Sequence, residues 1–407
     1  MKIAVVGGGA SGLIAAISAA NNGAEVTVLE KNDRIGKKIL VTGNGKCNLS
    51  NTAFSASHYY TKDSNYMMSR FSEFGVEDTI SFFSSIGLLL TDRDGYLYPR
   101  CEQASAVLDV LRFTLERLHV RMETSCEVIS VTKSDDQFTV RTNRSEERYD
   151  RVIVSCGNIA GLNAPKGKRL QPNAFLSLFP SFHFKTAPFT PALTALRCSD
   201  SYCKALAGMR AKGMLSYYDG DGIKSDKGEV QFTDYGVSGI PAFQLSRQIG
   251  YRLMNESSVP LFFDFFPDLS DSEWEESIKK RYHTLGELSL DQFFTGLVNK
   301  KMIPVLLKES GLKGQVQTVS ISVPRVLEAA ALLKRFPFTC TSLNPYQNAQ
   351  LCAGGVLLSE LNEQFEAKSV KGLYMTGEIL DVDGMCGGYN LQWAWTSGFL
   401  AGRSASC

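Results

Sequence analysis

The sequence has no excess of one charge, no paired-cysteine motif and few histidines. Its 43 lysines and arginines balance 42 aspartates and glutamates, so nothing draws the chain toward nucleic acid or an anionic membrane. Its ten cysteines form no C-x-x-C pair, and 407 residues need no disulfide framework, which makes a reduced, cytoplasmic setting the default expectation. The four histidines are scattered, so no metal site is expected.

The first twenty residues are mostly apolar and could be mistaken for a signal peptide or a membrane anchor. Lys2 precedes an apolar stretch from position 3 to position 20. Glycines at positions 7, 8, 9 and 12 would interrupt an apolar helix there, whereas a strand that turns into a helix makes use of them. We therefore expect a strand–turn–helix unit and no membrane segment.

This unit has the pattern of a dinucleotide-binding turn. An apolar strand at residues 2–6 leads into G-x-G-x-x-G at residues 7–12, and an alanine-rich helix follows. Gly7 would permit the tight turn, Gly9 would let the backbone approach a pyrophosphate, and Gly12 would let the helix pack closely on the strand. The helix amino terminus would offer its N–H groups to the phosphates. Glycine can serve any strand–helix turn, so the order of the elements carries this interpretation.

The segment that follows favours FAD over NAD. A second strand, AEVTVLE, ends at Glu30, where a carboxylate accepts hydrogen bonds from ribose hydroxyls and repels a 2′-phosphate, so NADP is disfavoured at this site. In place of an ordinary βαβ repeat, residues 30–51 then form a long, polar, glycine-containing stretch. Its length suits a larger cofactor.

Several later motifs resemble one family of flavoproteins. CEVISVTK, QFTVRT and DRVIVSCG have the pattern of three short strands, the last ending at Cys156 and Gly157. With them, KKILVTGNGKCNLSN, FTDYGVSGIPAFQLSR and GLYMTGEILDVDGMCGGYNLQWAWTSGFLAG resemble the BaiN/YhiN-like family of bacterial flavoproteins, which includes proteins named aminoacetone oxidases. The resemblance spans nearly the whole chain. It implies an α/β fold of the glutathione-reductase type, with a three-strand insertion and non-covalent FAD.

The resemblance also implies that the carboxyl-terminal motif completes the FAD site. Glu378 should bond a ribityl hydroxyl, and Gly387 and Gly388 should let the main chain pass close to the flavin ring. A helix predicted over residues 390–401 would stabilise the reduced anion with its amino terminus; the alternative is a glycine turn with a capped core helix. The predicted FAD-binding residues are Gly7, Gly9, Ala10, Ser11, Gly12, Glu30, Lys31, Lys38, Thr42, Gly43, Asn44, Cys47, Asn48, Val128, Gly157, Gly377, Glu378, Gly388, Tyr389, Asn390 and Leu391.

Cys47 and Cys386 both lie in loops predicted to approach the flavin. They could form a redox-active thiol pair, or they could be two small buried side chains. Because they share no motif, the second interpretation is favoured.

Proline residues and a change of periodicity divide the middle of the chain. PFTPALTAL at residues 188–196 precedes strand-like runs with Asp-Gly and Lys-Gly turns, and a capping-box pattern at Ser270 and Glu273 opens a helical region. We predict a discontinuous Rossmann-like FAD-binding domain (1–187 and 345–407), an inserted β-barrel-like domain (188–266 and 322–344) and a helical insertion within it (267–321). The basic run at 165–169 is predicted to be a solvated loop.

The expected activity is hydride transfer between a small organic substrate and flavin N5, with no catalytic acid or base assigned. The alternative is a flavin-dependent redox sensor or binding protein without turnover. A third hypothesis, action on RNA, is weakened by the near-neutral net charge of the chain. No second G-x-G-x-x-G lies between Gly157 and Gly354, so NAD(P)H could act as a donor but would have no dedicated domain. The sequence leads to no prediction of oligomeric state.

Overall fold

The chain forms two compact units, one discontinuous. The computed structural model describes residues 1–161 and 171–407; the predicted loop at 165–169 lies outside them. Unit 1 comprises residues 1–190 and 351–407, and unit 2 comprises residues 191–350. Both glycine-rich ends of the chain therefore belong to unit 1. Among the described residues, none of the helices combines the length and the apolar character needed to span a bilayer.

The elements are numbered in chain order. The helices are α1 (Ala10–Asn21), α2 (Ser64–Glu73), α3 (Val76–Ser85), α4 (Ala104–Arg117), α5 (Cys203–Leu206), α6 (Ile240–Arg252), α7 (Asp271–Leu285), α8 (Leu290–Phe294), α9 (Met302–Glu309), α10 (Val323–Ala331) and α11 (Tyr389–Ala405). The strands are β1 (Lys2–Val6), β2 (Glu25–Leu29), β3 (Ser50–Asn51), β4 (Tyr59–Tyr60), β5 (Leu90–Arg93), β6 (Tyr96–Pro99), β7 (Arg121–Glu123), β8 (Val128–Ser134), β9 (Gln137–Thr142), β10 (Glu146–Tyr149), β11 (Arg151–Val154), β12 (Thr190–Ala192), β13 (Leu196–Cys198), β14 (Arg210–Tyr218), β15 (Ile223–Thr233), β16 (Gly236–Gly239), β17 (Val259–Asp264), β18 (Phe336–Leu343), β19 (Leu351–Ala353), β20 (Leu373–Met375) and β21 (Asp383–Gly384).

A parallel sheet organises unit 1. Its strand order is β20-β11-β1-β2-β7, and its central strands are continuous apolar runs because both faces of the sheet are buried. Since all five strands run the same way, their carboxyl ends meet at one edge. That edge carries the residues following β1, β2, β11 and β20: Gly7, Glu30, Ser155 and Thr376. The predicted α/β, Rossmann-type fold is confirmed.

The three-stranded antiparallel sheet differs from the sequence prediction in its third member. Strands β8, β9 and β10 form it in the order β10-β9-β8, whereas the predicted third strand, DRVIVSCG, contributes β11 to the parallel sheet. The run VIV is apolar and fully buried, as a central parallel strand requires. The strand that was missed, β10, is short and charged, with only Tyr149 buried, so it has little apolar periodicity.

The first and last helices of the chain pack against each other through small residues. A Cβ added at Gly398 would lie 2.3 Å from the Ser11 carbonyl oxygen, and one at Gly402 would lie 2.2 Å from that of Ala15. Only glycine permits backbones to approach this closely. The predicted carboxyl-terminal helix is confirmed as α11, which begins one residue earlier and ends four residues later than expected.

Unit 2 contains a closed barrel of six antiparallel strands. The strand order is β13-β16-β15-β14-β17-β18, and large aromatic side chains such as Phe232, Phe263 and Phe338 fill its core. Helix α6 connects β16 to β17, and helices α7–α10 lie between β17 and β18 in the chain. The predicted boundaries of a β domain and a helical insertion stay predictions.

Helix α7 of unit 2 begins where the local sequence signal places it. Ser270 accepts a hydrogen bond from Glu273 N–H, and the Glu273 carboxylate accepts one from Ser270 N–H, which confirms the predicted capping box. The Trp274 indole N–H donates to the carbonyl of Ala330 over 3.0 Å. That bond fixes α7 against α10 without leaving a buried donor unpaired.

Candidate cofactor site

The three fingerprint glycines have different surroundings. Gly7 adopts φ +105°, and a Cβ there would lie 2.5 Å from the carbonyl oxygen of Ser155. A Cβ at Gly12 would lie 2.0 Å from the carbonyl oxygen of Gly7, whereas one at Gly9 would meet no atom within 4 Å. Gly7 and Gly12 are therefore required by the fold itself. Gly9, at the amino terminus of α1, is required only by what binds in front of it.

The α1 amino terminus has no side-chain cap. Ala10 and Ser11 form its first turn, so their N–H groups are among those without an intrahelical acceptor. Ser11 also contacts the other end of the chain, because its hydroxyl lies 2.5 Å from where a Cβ would stand on Gly377. A helix amino terminus whose N–H groups have no side-chain cap, with free space in front of Gly9, is the arrangement that binds a pyrophosphate.

Glu30 lies at the end of β2, beside this turn. Its side chain is buried, and its two oxygens accept 2.8 Å hydrogen bonds from the N–H groups of Gly8 and Asn32. Oε1 also accepts a hydrogen bond from Asn32 Nδ2, whereas Oε2 can accept a further one. The carboxylate is thus held by main chain at the predicted adenosine end, while Lys31 beside it is exposed.

Replacing Glu30 with alanine is expected to weaken FAD binding by about 1–3 kcal/mol, the usual loss for a charge-assisted hydrogen bond. Glu25→Ala provides a matched control because Glu25 is exposed at the opposite end of the same strand. Titration of both apoproteins with FAD, followed by flavin fluorescence, measures the difference. Equal affinities in the two variants would contradict this placement of the adenosine half.

A salt bridge joins the two predicted halves of the site. Lys38 Nζ lies 2.7 Å from Glu378 Oε2, and both side chains are partly exposed. Gly157, which follows β11 at φ +63°, is adjacent, since a Cβ there would lie 3.9 Å from the same oxygen. In this structure the Glu378 carboxylate binds lysine, and its predicted bond to a ribityl hydroxyl stays a prediction.

The loop around Thr42 is held by its own backbone. The Thr42 hydroxyl donates to the carbonyl of Ile39 over 2.7 Å, and Gly43, Asn44 and Cys47 all adopt positive φ angles. Asn44 is exposed, whereas Cys47 is fully buried. The left-handed residues let the chain turn back on itself, so that the Cys47 N–H donates to the carbonyl of Thr42 over 3.0 Å.

The surroundings of Cys47 disfavour thiolate chemistry. Burial raises its pKa to about 11, opposed only by a hydrogen bond with Thr42. The thiol is therefore protonated at neutral pH and is a poor nucleophile. This supports the interpretation of Cys47 as a small buried side chain; a role for Cys386 stays a prediction.

The residues after this loop contact the carboxyl-terminal glycine turn directly. Asn51 Nδ2 donates to the carbonyl of Gly387 over 3.1 Å. Gly388 adopts φ +93°, and a Cβ there would lie 2.6 Å from the Ser50 carbonyl oxygen and 2.8 Å from Asn48 Oδ1. The structure thus brings the two glycine-rich ends of the chain together.

The first turn of α11 is also anchored to this part of unit 1. The Tyr389 hydroxyl donates to the carbonyl of Ala53, and the Asn390 side chain exchanges two 2.8 Å hydrogen bonds with the main chain of Gly384. Leu391 packs against the core of unit 1. The side chains of Tyr389 and Asn390 therefore hold the turn in place. These two residues would contact a ligand through their main-chain groups.

Val128 lies away from these loops in sequence, at the start of β8, and is buried. It follows Cys126, whose N–H donates to the carbonyl of Glu30 over 2.8 Å. Val128 is therefore close to the adenosine end along the chain, and its contact with FAD stays a prediction.

Two orphaned polar atoms test whether the site fits FAD. Asn48 Oδ1, beside Gly388, and Thr376 Oγ1, before Gly377, are buried without a hydrogen-bond partner among the described residues. Buried polar atoms are normally paired, and hydroxyl groups along a cofactor chain would pair them. Together with the uncapped α1 start and the open position at Gly9, these residues fit FAD.

Sequence reasoning did not single out Thr376 or Asn51. Thr376 could have been found, because it follows the strand LYM at the sheet edge where a ligand binds in open α/β folds. Asn51 had no such signal, since its role depends on a contact with Gly387, 336 residues away.

The profile of the family described as "HI0933-like protein Rossmann domain" matches residues 1–404. The chain belongs to this family. The HI0933-like chain is 37% identical over 409 residues to a protein named 3-dehydro-bile acid delta(4,6)-reductase from Clostridium scindens, with 100% of the chain and 99% of the relative covered. It is 27% identical to a ribosomal RNA dihydrouridine synthase from Haemophilus influenzae, covering 99% of the chain and 98% of that relative.

Among solved structures, the HI0933-like chain matches a 3-ketosteroid-delta4-(5alpha)-dehydrogenase from Rhodococcus jostii RHA1 with a TM-score of 0.48 and 15% identity, covering 100% of this chain and 96% of that one. The match to the HI0933-like family and to a reductase along the whole chain confirms the predicted family and the predicted class. The protein is an FAD-dependent oxidoreductase.

Proposed function

We propose that this protein binds FAD non-covalently and reduces a conjugated carbon–carbon double bond in a small, apolar carbonyl compound of the steroid-acid type. The observation that carries the proposal is the 37% identity, along the whole chain, to the 3-dehydro-bile acid delta(4,6)-reductase. The site supports it, because the fingerprint, the Thr42 loop and the carboxyl-terminal glycine turn converge within unit 1.

Each part of the site has a separate task. Gly9, the α1 amino terminus and Glu30 would hold the adenosine diphosphate half of FAD. Asn48 and Thr376 would bond its polar groups with their unpaired oxygens. When bound and reduced, FAD would supply the hydride from N5 and would become oxidised. The amino terminus of α11 adds partial positive charge beside the glycine turn, which favours a reduced, anionic ring.

Action on RNA is a second candidate, favoured by the relatives named ribosomal RNA dihydrouridine synthases. Dihydrouridine is uridine with one ring double bond saturated, so both sets of names describe the reduction of a conjugated C=C bond. Two observations favour the small substrate. The chain is less similar to the dihydrouridine synthases (27% and 26% identity) than to the bile-acid reductase (37%). It also has 43 basic against 42 acidic residues, whereas binding to RNA draws much of its energy from basic side chains that contact phosphates.

An anaerobic screen tests the proposal. The purified holoprotein is photoreduced and mixed with 3-keto steroid acids bearing Δ4 or Δ4,6 bonds, with simple enones, and with unmodified ribosomal RNA fragments. Return of the visible flavin absorbance, with a saturated product found by mass spectrometry, is expected for the steroid acids. Reoxidation by RNA alone would support the second candidate, and none by any compound would favour a sensor without turnover.

The electron donor is a separate part of the proposal. Neither unit contains a second dinucleotide fingerprint within residues 157–354, so we propose that NADH and NADPH reduce the flavin slowly. Stopped-flow mixing with each nucleotide under anaerobic conditions measures the rate. A fast phase that saturates with nucleotide concentration would overturn this part and leave the reductase assignment intact.

A further inference from the structure

The β5–β6 hairpin presents an exposed tyrosine to the carboxyl-terminal glycine turn. Tyr96 opens β6, and an aromatic carbon of its ring lies 3.3 Å from where a Cβ would stand on Gly387. The side chain is 41% exposed. On the same face of the strand, the Tyr98 ring lies 3.5 Å from a Cβ built on Gly43. The two rings therefore flank both loops of the candidate cofactor site.

Three tyrosines, Tyr59, Tyr96 and Tyr389, lie around the glycine turn, and Tyr96 is the one whose hydroxyl is available to bond a ligand. The Tyr59 hydroxyl donates to the carbonyl of Tyr389 over 3.0 Å, and the Tyr389 hydroxyl donates to the carbonyl of Ala53 over 3.1 Å. Among the described residues, the Tyr96 hydroxyl makes no such bond. A phenol that is exposed and uncommitted at the rim of a site can donate a proton to a ligand.

The backbone holds Tyr96 in a fixed position. Asp94 and Gly95 connect β5 to β6 with φ angles of 52° and 90°, as a tight two-residue hairpin requires. Asp92 accepts a hydrogen bond from Gly95 N–H, and Thr52 N–H donates to the carbonyl of Gly95, each over 2.8 Å. The hairpin is therefore fixed to the segment that follows β3, which also contacts the glycine turn.

We propose that Tyr96 is the catalytic proton donor of this enzyme, acting on a substrate bound against the Gly387 turn; this inference rests on the proposed function. Reduction of a conjugated C=C bond adds a hydride to the carbon distant from the carbonyl and a proton to the carbon beside it. The hydride is the one that the proposed function assigns to the flavin. The proton leaves Tyr96 Oη as the new C–H bond forms, and the exposed tyrosinate takes a proton back from water.

Tyr96→Phe tests the assignment, because it removes the hydroxyl and keeps the ring beside Gly387. We expect the rate at which a saturating enone reoxidises the photoreduced flavin to fall at least about 10²-fold, the usual contribution of a general acid. The Kd of the substrate for the oxidised protein, read from the perturbed flavin spectrum, should rise only about two- to tenfold, as for one neutral hydrogen bond. FAD content and the rate of photoreduction should not change.

Tyr218→Phe is the matched control, since Tyr218 is a 58% exposed tyrosine in unit 2. Its reoxidation rate with enone and its Kd for the substrate should match those of wild type, because Tyr218 belongs to unit 2 and not to the candidate site.

The outcomes separate the two proposals. A wild-type protein that reduces no enone contradicts the proposed function. A wild type that reduces enones only as fast as Tyr96→Phe does overturns only the role of Tyr96. If Tyr98→Phe loses enone reduction and Tyr96→Phe does not, the proton donor is Tyr98. That result would also overturn the role of Tyr96.

Discussion

Gly9→Val is expected to yield a folded protein that retains no FAD. The backbone at Gly9 is extended (φ −85°, ψ −171°), a conformation that valine adopts readily, and an added Cβ meets no atom within 4 Å. The fold should therefore lose about 1 kcal/mol or less. The two added methyl groups would occupy the space through which the backbone approaches a pyrophosphate. Gel filtration followed by absorbance of the protein peak measures the retained flavin.

Gly12→Val is the informative comparison. Its Cβ would lie 2.0 Å from the Gly7 carbonyl oxygen and 2.6 Å from Ser155 Oγ, so this variant should lose thermal stability even as apoprotein. Circular dichroism melts of both apoproteins separate loss of binding from loss of folding. A Gly9→Val protein that holds FAD as wild type does would remove the pyrophosphate from this turn.

The amino-terminal half of the candidate site has local sequence signals. Gly7, Gly9, Gly12 and Glu30 lie within one strand–turn–helix–strand unit, and their spacing is set by the geometry of that unit. The structure places Glu30 beside the turn through a hydrogen bond from Gly8 N–H. Residues close in sequence and joined by regular elements have few alternative arrangements.

The contacts between the chain ends could not be predicted from spacing. Lys38 and Glu378 are 340 residues apart, and their salt bridge depends on how the Thr42 loop meets the glycine turn. Tyr96 also carried no signal, because an aromatic residue in a short strand is ordinary core material. Its position beside Gly387 distinguishes Tyr96 from Tyr98, and its exposure and available hydroxyl distinguish it from the buried Tyr59.

The close contact between α1 and α11 explains two glycines that are not predicted to bind FAD, Gly398 and Gly402. Gly398→Leu is expected to destabilise unit 1 by about 3 kcal/mol or more, since its Cβ would lie 2.3 Å from the Ser11 carbonyl oxygen and 2.6 Å from Ile14 Cγ2. Overpacking of a tight contact costs about 1–3 kcal/mol when neighbours can move, and here one neighbour is main chain. Urea unfolding of the apoprotein, followed by tryptophan fluorescence, measures the loss.

Arg403→Leu introduces the same side chain on the same helix and is the control. Arg403 is exposed and pairs with Glu73 at the surface, so its loss should cost less than about 1 kcal/mol.

FAD affinity should fall in Gly398→Leu as well, although Gly398 is not a predicted ligand, because displacing α11 from Ser11 also displaces Gly377 and the glycine turn. Unchanged stability in Gly398→Leu would show that α1 and α11 do not pack at this distance. Lost stability with unchanged FAD affinity would show that the glycine turn is held in place without that packing.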